Sequence, residues 1–126
     1  MKIHGLHHIL LPVQNVERAA AFYQSLGMEA VSPINPRMAW MQFGGNQLHL
    51  WLNDEKHSYN GWTHEPSPHF AVAVDDVFAF EQQIPELGGK VIQAPGQRPN
   101  GTWYFFALDT EGNRFELLEM EAKGKE

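Results

Sequence analysis

The sequence predicts an α+β fold of two tandem βαβββ modules whose sheets form one curved, mixed surface. The prediction rests on an internal repeat, on strands that alternate apolar and polar residues, and on helix signals at equivalent places. Residues 8–16 lie over residues 69–77 without a gap, and the same offset of 61 carries Leu26-Gly27 onto Leu87-Gly88. A match held at one offset over this distance indicates a duplicated unit.

The closing strands of the two modules align at a larger offset. Residues 45–50 lie over residues 112–117 at an offset of 67, and each stretch reads Gly-Asn-x-apolar-x-Leu. About six extra residues therefore fall inside the second module. The Pro/Gly-rich stretch 93–101 is where we expect them.

The first strand of each module shows the alternation of a half-buried strand. In residues 6–13 the apolar residues at 9, 11 and 13 share one face and His8 lies on the other. Residues 69–74 repeat this pattern, with His69 in the place of His8. Further strands are predicted after the helix of each module, at about 28–34, 38–43, 47–52, 90–94, 103–109 and 114–119.

A helix is predicted directly after the first strand of each module. Asn15 can cap the first helix, and Asp75 or Asp76 can cap the second. Both helices are expected to end at the glycine of the repeated Leu-Gly pair, in a left-handed conformation. Pro85 lies late in the second helical pattern and is expected to shorten that helix.

The length of 126 residues predicts a single domain, in which two very small modules share a core. Its parts are module one at about 5–53, a linker at 54–67, module two at about 68–119 and a charged tail at 120–126.

Composition excludes several classes of protein. The chain has 126 residues, 43% of them hydrophobic, a formal net charge of −6 and no cysteine. An acidic chain without a Lys/Arg cluster is a poor nucleic-acid binder, and no apolar run is long enough for a membrane helix. The start of the chain lacks the apolar stretch of a signal peptide, so we expect a cytoplasmic protein without disulfides.

Four polar residues stand on the strand faces opposite the apolar ones. They are also equivalent in the repeat, His8 with His69 and His49 with Glu116. A pseudo-twofold arrangement of the modules would bring them together. Imidazole and carboxylate groups suit one divalent ion such as Zn, Ni, Mn, Co or Fe. The alternative is that each is an ordinary polar residue of its strand.

Several stretches resemble the vicinal oxygen chelate superfamily, which includes glyoxalase I, bleomycin and fosfomycin resistance proteins, methylmalonyl-CoA epimerase and extradiol dioxygenases. The resemblance covers about residues 5–119. It is carried by Leu6-His7-His8-Ile9, Phe22-Tyr23-x-x-Leu26-Gly27-Met28, Leu48-His49-Leu50, His69-Phe70-Ala71-Val72-x-Val74-Asp75-Asp76 and Asp109-Thr110-Glu111-Gly112-Asn113-Arg114-Phe115-Glu116-Leu117. It implies a glyoxalase-like cup around one divalent metal, whose ligand positions are His8, His49, His69 and Glu116.

The resemblance also implies a reaction. The expected function is a metal-dependent lyase or isomerase of glyoxalase type, acting on a small substrate that chelates the metal through neighbouring oxygens. Glu116 is implied as the catalytic base. The chain departs from the family in having His49 where glyoxalase I usually has Glu, and Asp109-Thr110-Glu111-Gly112 in place of Asp-Pro-Asp-Gly.

Five further residues are candidates for substrate binding. Arg37 and Arg98 suit an acidic substrate, because a guanidinium recognises carboxylate and phosphate groups. Trp40, Trp51 and Trp103 are candidates to line the cup, with core packing or a dimer interface as the alternative.

Two other functions remain open from the sequence. A sequestering protein of bleomycin-resistance type would bind a small molecule without catalysis, and the intact ligand set argues against it. A small Fe(II) dioxygenase would use His8, His69 and Glu116. In each case we expect a homodimer with a small-molecule partner, and neither nucleic acid nor a membrane.

Overall fold

Each half of the chain folds as one βαβββ module in the computed structural model, which describes residues 1–53 and 67–120. The halves form two units, Met1–Ser58 and Tyr59–Glu126. The predicted linker, apart from Ser67, and the predicted tail, apart from Met120, lie outside the described residues. Over the described residues, neither helix is long and apolar enough to cross a lipid bilayer.

The first unit holds a four-stranded sheet and one helix. Its strands follow the order β1-β4-β3-β2, with β1 parallel to β4 and the other pairs antiparallel. The elements are β1 (His8–Val13), α1 (Val16–Ser25), β2 (Glu29–Ala30), β3 (Met38–Phe43) and β4 (Asn46–Leu52).

The second unit repeats this topology. Its strand order is β5-β8-β7-β6, again with one parallel pair, β5 and β8. The elements are β5 (Phe70–Val74), α2 (Val77–Glu86), β6 (Lys90–Gln97), β7 (Trp103–Leu108) and β8 (Arg114–Glu119). The predicted α+β class and the duplicated βαβββ topology are therefore confirmed.

The predicted caps and terminal glycines are found at the ends of both helices. The side chain of Asn15 accepts the N–H of Arg18 at 2.9 Å, and Asp76, rather than Asp75, caps α2. Gly27 has φ +110° and Gly88 has φ +93°, a backbone region that L side chains rarely adopt. The predicted effect of Pro85 was wrong, because α2 has 10 residues, as α1 has. Pro85 lies on the exposed side of the last turn, where water can solvate the carbonyl it leaves unpaired.

The strand alternation separates a core face from a second face in each sheet. In the first unit α1 packs on β3 and β4, and the core consists of side chains such as Tyr23, Met41 and Leu50, all with no exposed surface. In the second unit Phe105 and Leu117 are buried in the same way. The residues that alternate with these core residues lie on the other face, which carries the candidate site.

The second strand of the module is much shorter in the first unit, where β2 has two residues, than in the second, where β6 has eight. β2 ends at Ala30 instead of 34. β6 extends to Gln97 instead of 94, because it is an edge strand whose register shifts let Pro95 and Gly96 fit as bulges. Most of the extra residues of the second unit lie here, as predicted. The offset between equivalent residues is 61 at the start of the modules and has risen to 66 at Trp40 and Phe106, which pair with His49 and Glu116.

Candidate functional site

Glu116 is the centre of the polar contacts in the second unit. It lies on β8 and is only 7% exposed. Its Oε1 lies 3.3 Å from Nε2 of His69, and its Oε2 accepts a hydrogen bond from Nη2 of Arg98. The parallel pairing of Ala71 with Glu116 explains the first contact, since His69 precedes Ala71 by two residues and shares its face.

A backbone carbonyl fixes the orientation of the His69 ring. Nδ1 lies 2.8 Å from the carbonyl oxygen of Ser67. That oxygen can only accept, so the Nδ1–H of His69 donates and Nε2 is directed at Glu116. Metal-binding histidines are commonly oriented by a hydrogen bond of this kind. An imidazole nitrogen facing a carboxylate oxygen is also a donor set that Zn, Ni, Mn, Co and Fe accept, so the pair fits a divalent ion.

Arg98 lies in the turn between β6 and β7. Its N–H donates to the carbonyl of Thr102 at 2.8 Å, and Gly101, with φ +91°, allows the chain to turn back. The guanidinium carbon lies 4.3 Å from the centroid of the Tyr104 ring, a cation–π contact. Nη1 is buried without a hydrogen-bond partner among the described residues. A buried donor of this kind leaves capacity for one more acceptor.

These side chains form one wall of an open cleft of about 620 Å³ within the second unit. Phe106 packs edge-on against the His69 ring, with centroids 5.0 Å apart. The remaining lining comes from β6, the turn after it and β7. The full set is His69, Gln93, Gln97, Arg98, Pro99, Tyr104, Phe106 and Glu116.

In the first unit the predicted residues His8 and His49 lie side by side. Their ring centroids are 3.9 Å apart and their planes are inclined by 12°. Trp40 stacks on the His49 ring, with ring centroids 4.8 Å apart and planes inclined by 12°. The sheet order produces this arrangement, because β4 lies between β1 and β3 and places His49 opposite Trp40.

His49 is held by hydrogen bonding and burial as well as by stacking. Its Nε2 lies 2.9 Å from Oε1 of Gln47, two residues earlier on the same face. It is 9% exposed. Burial, together with the charge that His8 and His7 carry when protonated, lowers the pKa of His49 below its usual 6.5. The neutral form of the His49 ring is therefore favoured.

The structure thus brings the four predicted ligands together as one pair in each unit. Within neither unit do three or more His, Asp or Glu side chains, taken over residues 1–53 and 67–120, gather closely enough to hold a metal. The ligand set stays a prediction.

The predicted substrate-binding residues have different environments. Arg98 lines the cleft. Trp103 instead packs against Phe78 of α2, with ring centroids 5.1 Å apart. Trp40 stacks on His49, and Trp51 is 48% exposed on the same face of β4. Arg37 is exposed before β3, where its backbone N–H donates to the side chain of Asn35.

Five further residues line the cleft or contact the predicted histidines, and no role for any of them was predicted from the sequence. Tyr104 and Gln93 line the cleft, Gln97 does so from the bulged end of β6, and His7 and Gln47 contact His8 and His49. Strand alternation could have found Gln47 and Tyr104, which share a face with His49 and Glu116.

The lowered pKa of His49 predicts how stability depends on pH in the metal-free protein. An unfolded His takes up a proton near pH 6.5, whereas the folded protein resists that proton. Stability should therefore be fully present above pH 6.5 and fall as the pH drops through 6.5 toward the lower folded pKa. One proton contributes a slope of at most about 1.4 kcal/mol per pH unit.

Urea unfolding between pH 5 and 8 measures this slope, with His49→Phe as the non-titrating variant that keeps an aromatic ring in the stack. The variant should show a shallower decline toward acid pH than the wild type. Equal slopes in both proteins would contradict the assignment to His49.

The sequence and the fold of this chain are similar to those of known proteins. The family model of the Glyoxalase/Bleomycin resistance protein/Dioxygenase superfamily matches residues 5–117. A probable lactoylglutathione lyase of Synechocystis is 26% identical over 132 residues, which cover 94% of this chain and 97% of that protein. The metallothiol transferase FosB of Shouchella clausii is 27% identical over 99 residues, which cover 76% of this chain and 64% of that protein.

Solved structures agree on the fold. The structure of lactoylglutathione lyase from Agrobacterium tumefaciens superposes with a TM-score of 0.69 at 23% identity, covering 98% of this chain and 99% of that one. With a match that spans both modules, the chain belongs to the glyoxalase/bleomycin resistance protein/dioxygenase superfamily.

Proposed function

We propose that this protein is a divalent-metal-dependent lyase or isomerase of glyoxalase type, which moves a proton between adjacent carbons of a small substrate. The observation that carries the proposal is the buried Glu116 carboxylate, placed between His69 and Arg98 at the wall of an open cleft. Members of the superfamily typically bind a divalent metal. The names of the two relatives, a lactoylglutathione lyase and a metallothiol transferase, favour thiol-containing substrates.

Metal binding is assigned to side chains of both units, and proton transfer to Glu116. His69 and Glu116 in the second unit, with a pair of nitrogen ligands that includes His8 in the first, would supply the metal ligands. A divalent ion supplies Lewis-acid polarisation of a substrate oxygen when bound. Glu116 is the group that takes the proton from one carbon and returns it to the next, as a carboxylate base within reach of the cleft.

Arg98 binds and orients the substrate in this proposal. Its unpaired Nη1–H and its contact with Tyr104 favour a carboxylate or phosphate group on the substrate. The glutamine side chains of β6 add neutral hydrogen-bonding groups to the same cleft. A small, acidic, oxygen-rich molecule carried on a thiol fits these groups.

Metal content is the first test of the proposal. Tag-free wild-type protein should carry about one equivalent of Ni, Zn, Mn, Co or Fe by elemental mass spectrometry, and Glu116→Ala and His8→Ala should each carry less. Isomerisation of 2-oxoaldehyde thiol adducts in D2O, followed by deuterium incorporation, then tests the reaction. Protein that neither contains nor takes up metal would contradict this function.

A non-catalytic binding protein is the second candidate. The specific observation in its favour is an exposed apolar set on the His49 face of the first unit, where Leu10 is 51%, Trp40 36% and Trp51 48% exposed. Such a surface suits a planar ligand. Quenching of tryptophan fluorescence by a ligand that is recovered unchanged would favour this candidate. Oxygen consumption that requires ferrous iron would instead favour the dioxygenase alternative.

A further inference from the structure

Three histidine rings gather at the start of β1 in the first unit. His7 precedes the strand, His8 begins it and His49 lies on the neighbouring β4. The Nδ1 atoms of His7 and His8 are 2.9 Å apart, and their rings are nearly perpendicular, at 86°. The rings of His8 and His49 are nearly parallel, at 12°. These two angles decide which pair can bind one ion.

A stacked pair of imidazoles is poorly arranged for chelation. The lone pair of an imidazole nitrogen lies in the ring plane, and a bound metal sits near that plane at about 2.0–2.1 Å. Because the planes of His8 and His49 are almost parallel and their centroids are 3.9 Å apart, an ion in one plane lies well outside the other. The Nε2 of His49 is also engaged with Gln47.

The perpendicular pair satisfies the geometry. Two nitrogens 2.9 Å apart, each about 2.0–2.1 Å from an ion, subtend an angle close to 90°. That is the angle between neighbouring ligands in square-planar and octahedral sites, the geometries of Cu(II) and Ni(II). A tetrahedral site would need the two nitrogens about 3.3–3.4 Å apart at the same bond lengths.

We infer that His7, rather than His49, chelates with His8, and that this Nδ1 pair takes a divalent ion of square-planar or octahedral preference. The inference rests on the proposed metal dependence and names the ligands that the first unit supplies. His49 is then a positioning residue, which holds the His8 ring by stacking between it and Trp40. When the ion binds, the hydrogen that one Nδ1 donates to the other leaves that atom and Nε2 of the same ring takes one up from solvent, so that both Nδ1 lone pairs face the ion.

Titration of the full chain with Ni²⁺ alone, followed by calorimetry, tests the inference. His7→Ala and His8→Ala should each weaken Ni²⁺ binding at least tenfold, as expected for loss of a ligand. His49→Phe keeps an aromatic ring in the stack without a nitrogen, so its affinity should stay within about threefold of the wild type. His4→Ala is the matched control, since it removes a histidine from the same exposed N-terminal segment.

Electron paramagnetic resonance with Cu²⁺ gives a readout that a change in folding alone would not produce. The nitrogen hyperfine pattern should lose a ligand in His7→Ala and keep its full set in His49→Phe. The opposite result, loss in His49→Phe and no change in His7→Ala, would overturn the inference and make His49 the ligand. That result would leave the proposed function standing.

The same titration separates the two proposals in the other direction. Metal bound with wild-type affinity by Glu116→Ala, but lost in His7→Ala, supports the chelate and contradicts the role of Glu116 in the proposed function. Wild-type protein that binds neither Ni²⁺ nor Cu²⁺ overturns the chelate directly.

Discussion

Replacing Glu116 with Gln is expected to lower kcat for 2-oxoaldehyde thiol adducts by about 10²–10⁴-fold, the range that a positioned general base contributes. Gln has nearly the same shape and still offers Oε1 to Arg98, so the packing around β8 should survive. What the variant loses is the negative charge that takes up a proton and attracts a divalent ion. Metal content should therefore fall together with activity.

Glu116→Asp separates charge from position. The aspartate keeps the carboxylate but withdraws it by one methylene from His69 and Arg98. A misplacement of about 1 Å can cost on the order of 10² in rate, so we expect reduced kcat with metal largely retained. Steady-state kinetics on metal-reconstituted protein, with the metal content of each sample measured, distinguishes the two effects.

Glu119→Gln is the matched control for these variants. Glu119 lies on the same strand but on the opposite face, and its carboxylate accepts the N–H of Trp103 at 3.2 Å. A Gln there keeps the acceptor and makes the same change in net charge. Wild-type kcat in Glu116→Gln, or an equal loss in Glu119→Gln, would show that Glu116 is not the base.

The repeat and the local patterns of the sequence were enough to predict the fold, because most helices and strands are marked by residues within or next to them. The first strand of each module alternates apolar and polar residues, and both helices begin at an Asn or Asp cap and end at a glycine with positive φ. The exceptions occur at prolines. Pro95 suggested the end of a strand, yet an edge strand can include a proline by bulging, and only the sheet order shows that β6 is an edge.

The candidate site could be predicted only in part. Equivalence in the repeat identified His69 and Glu116, which do contact each other. The same equivalence identified His8 and His49, but it carries no information on ring orientation, so the stacking was not foreseen. Arg98 was chosen for its chemistry alone, and its place beside Glu116 depends on the turn after β6.

The second unit's cleft is a consequence of its extra residues. The longer β6 and the turn after it bring Gln97 and Arg98 to the face of Glu116. In the first unit β2 has two residues, and its equivalent face is occupied by stacked rings. The duplicated modules therefore have two similar sheets, and the insertion gives one of them an open cleft.

The turn between β7 and β8 should be the most sensitive polar element of the second unit, and Asp109→Ala should destabilise the protein by roughly 3 kcal/mol. Asp109 is 3% exposed, and its Oδ1 accepts the backbone N–H groups of Glu111 at 2.8 Å and Asn113 at 2.9 Å. Its Oδ2 accepts the side-chain amide of Asn113 at 3.2 Å. Alanine removes the acceptor of three donors at once, and Asn113 is only 1% exposed.

Loss of this turn should also reduce activity, because the turn sets the register that places Glu116 opposite Phe106. Urea unfolding measures the change in stability, and Asp75→Ala, an exposed aspartate before α2, is the control, expected within about 0.5 kcal/mol of the wild type. If Asp109→Ala instead unfolds within 1 kcal/mol of the wild type, the backbone bonds between Asp109 and residues 112 and 113 hold the turn alone. The side chain would then have no part in positioning the strand that carries Glu116.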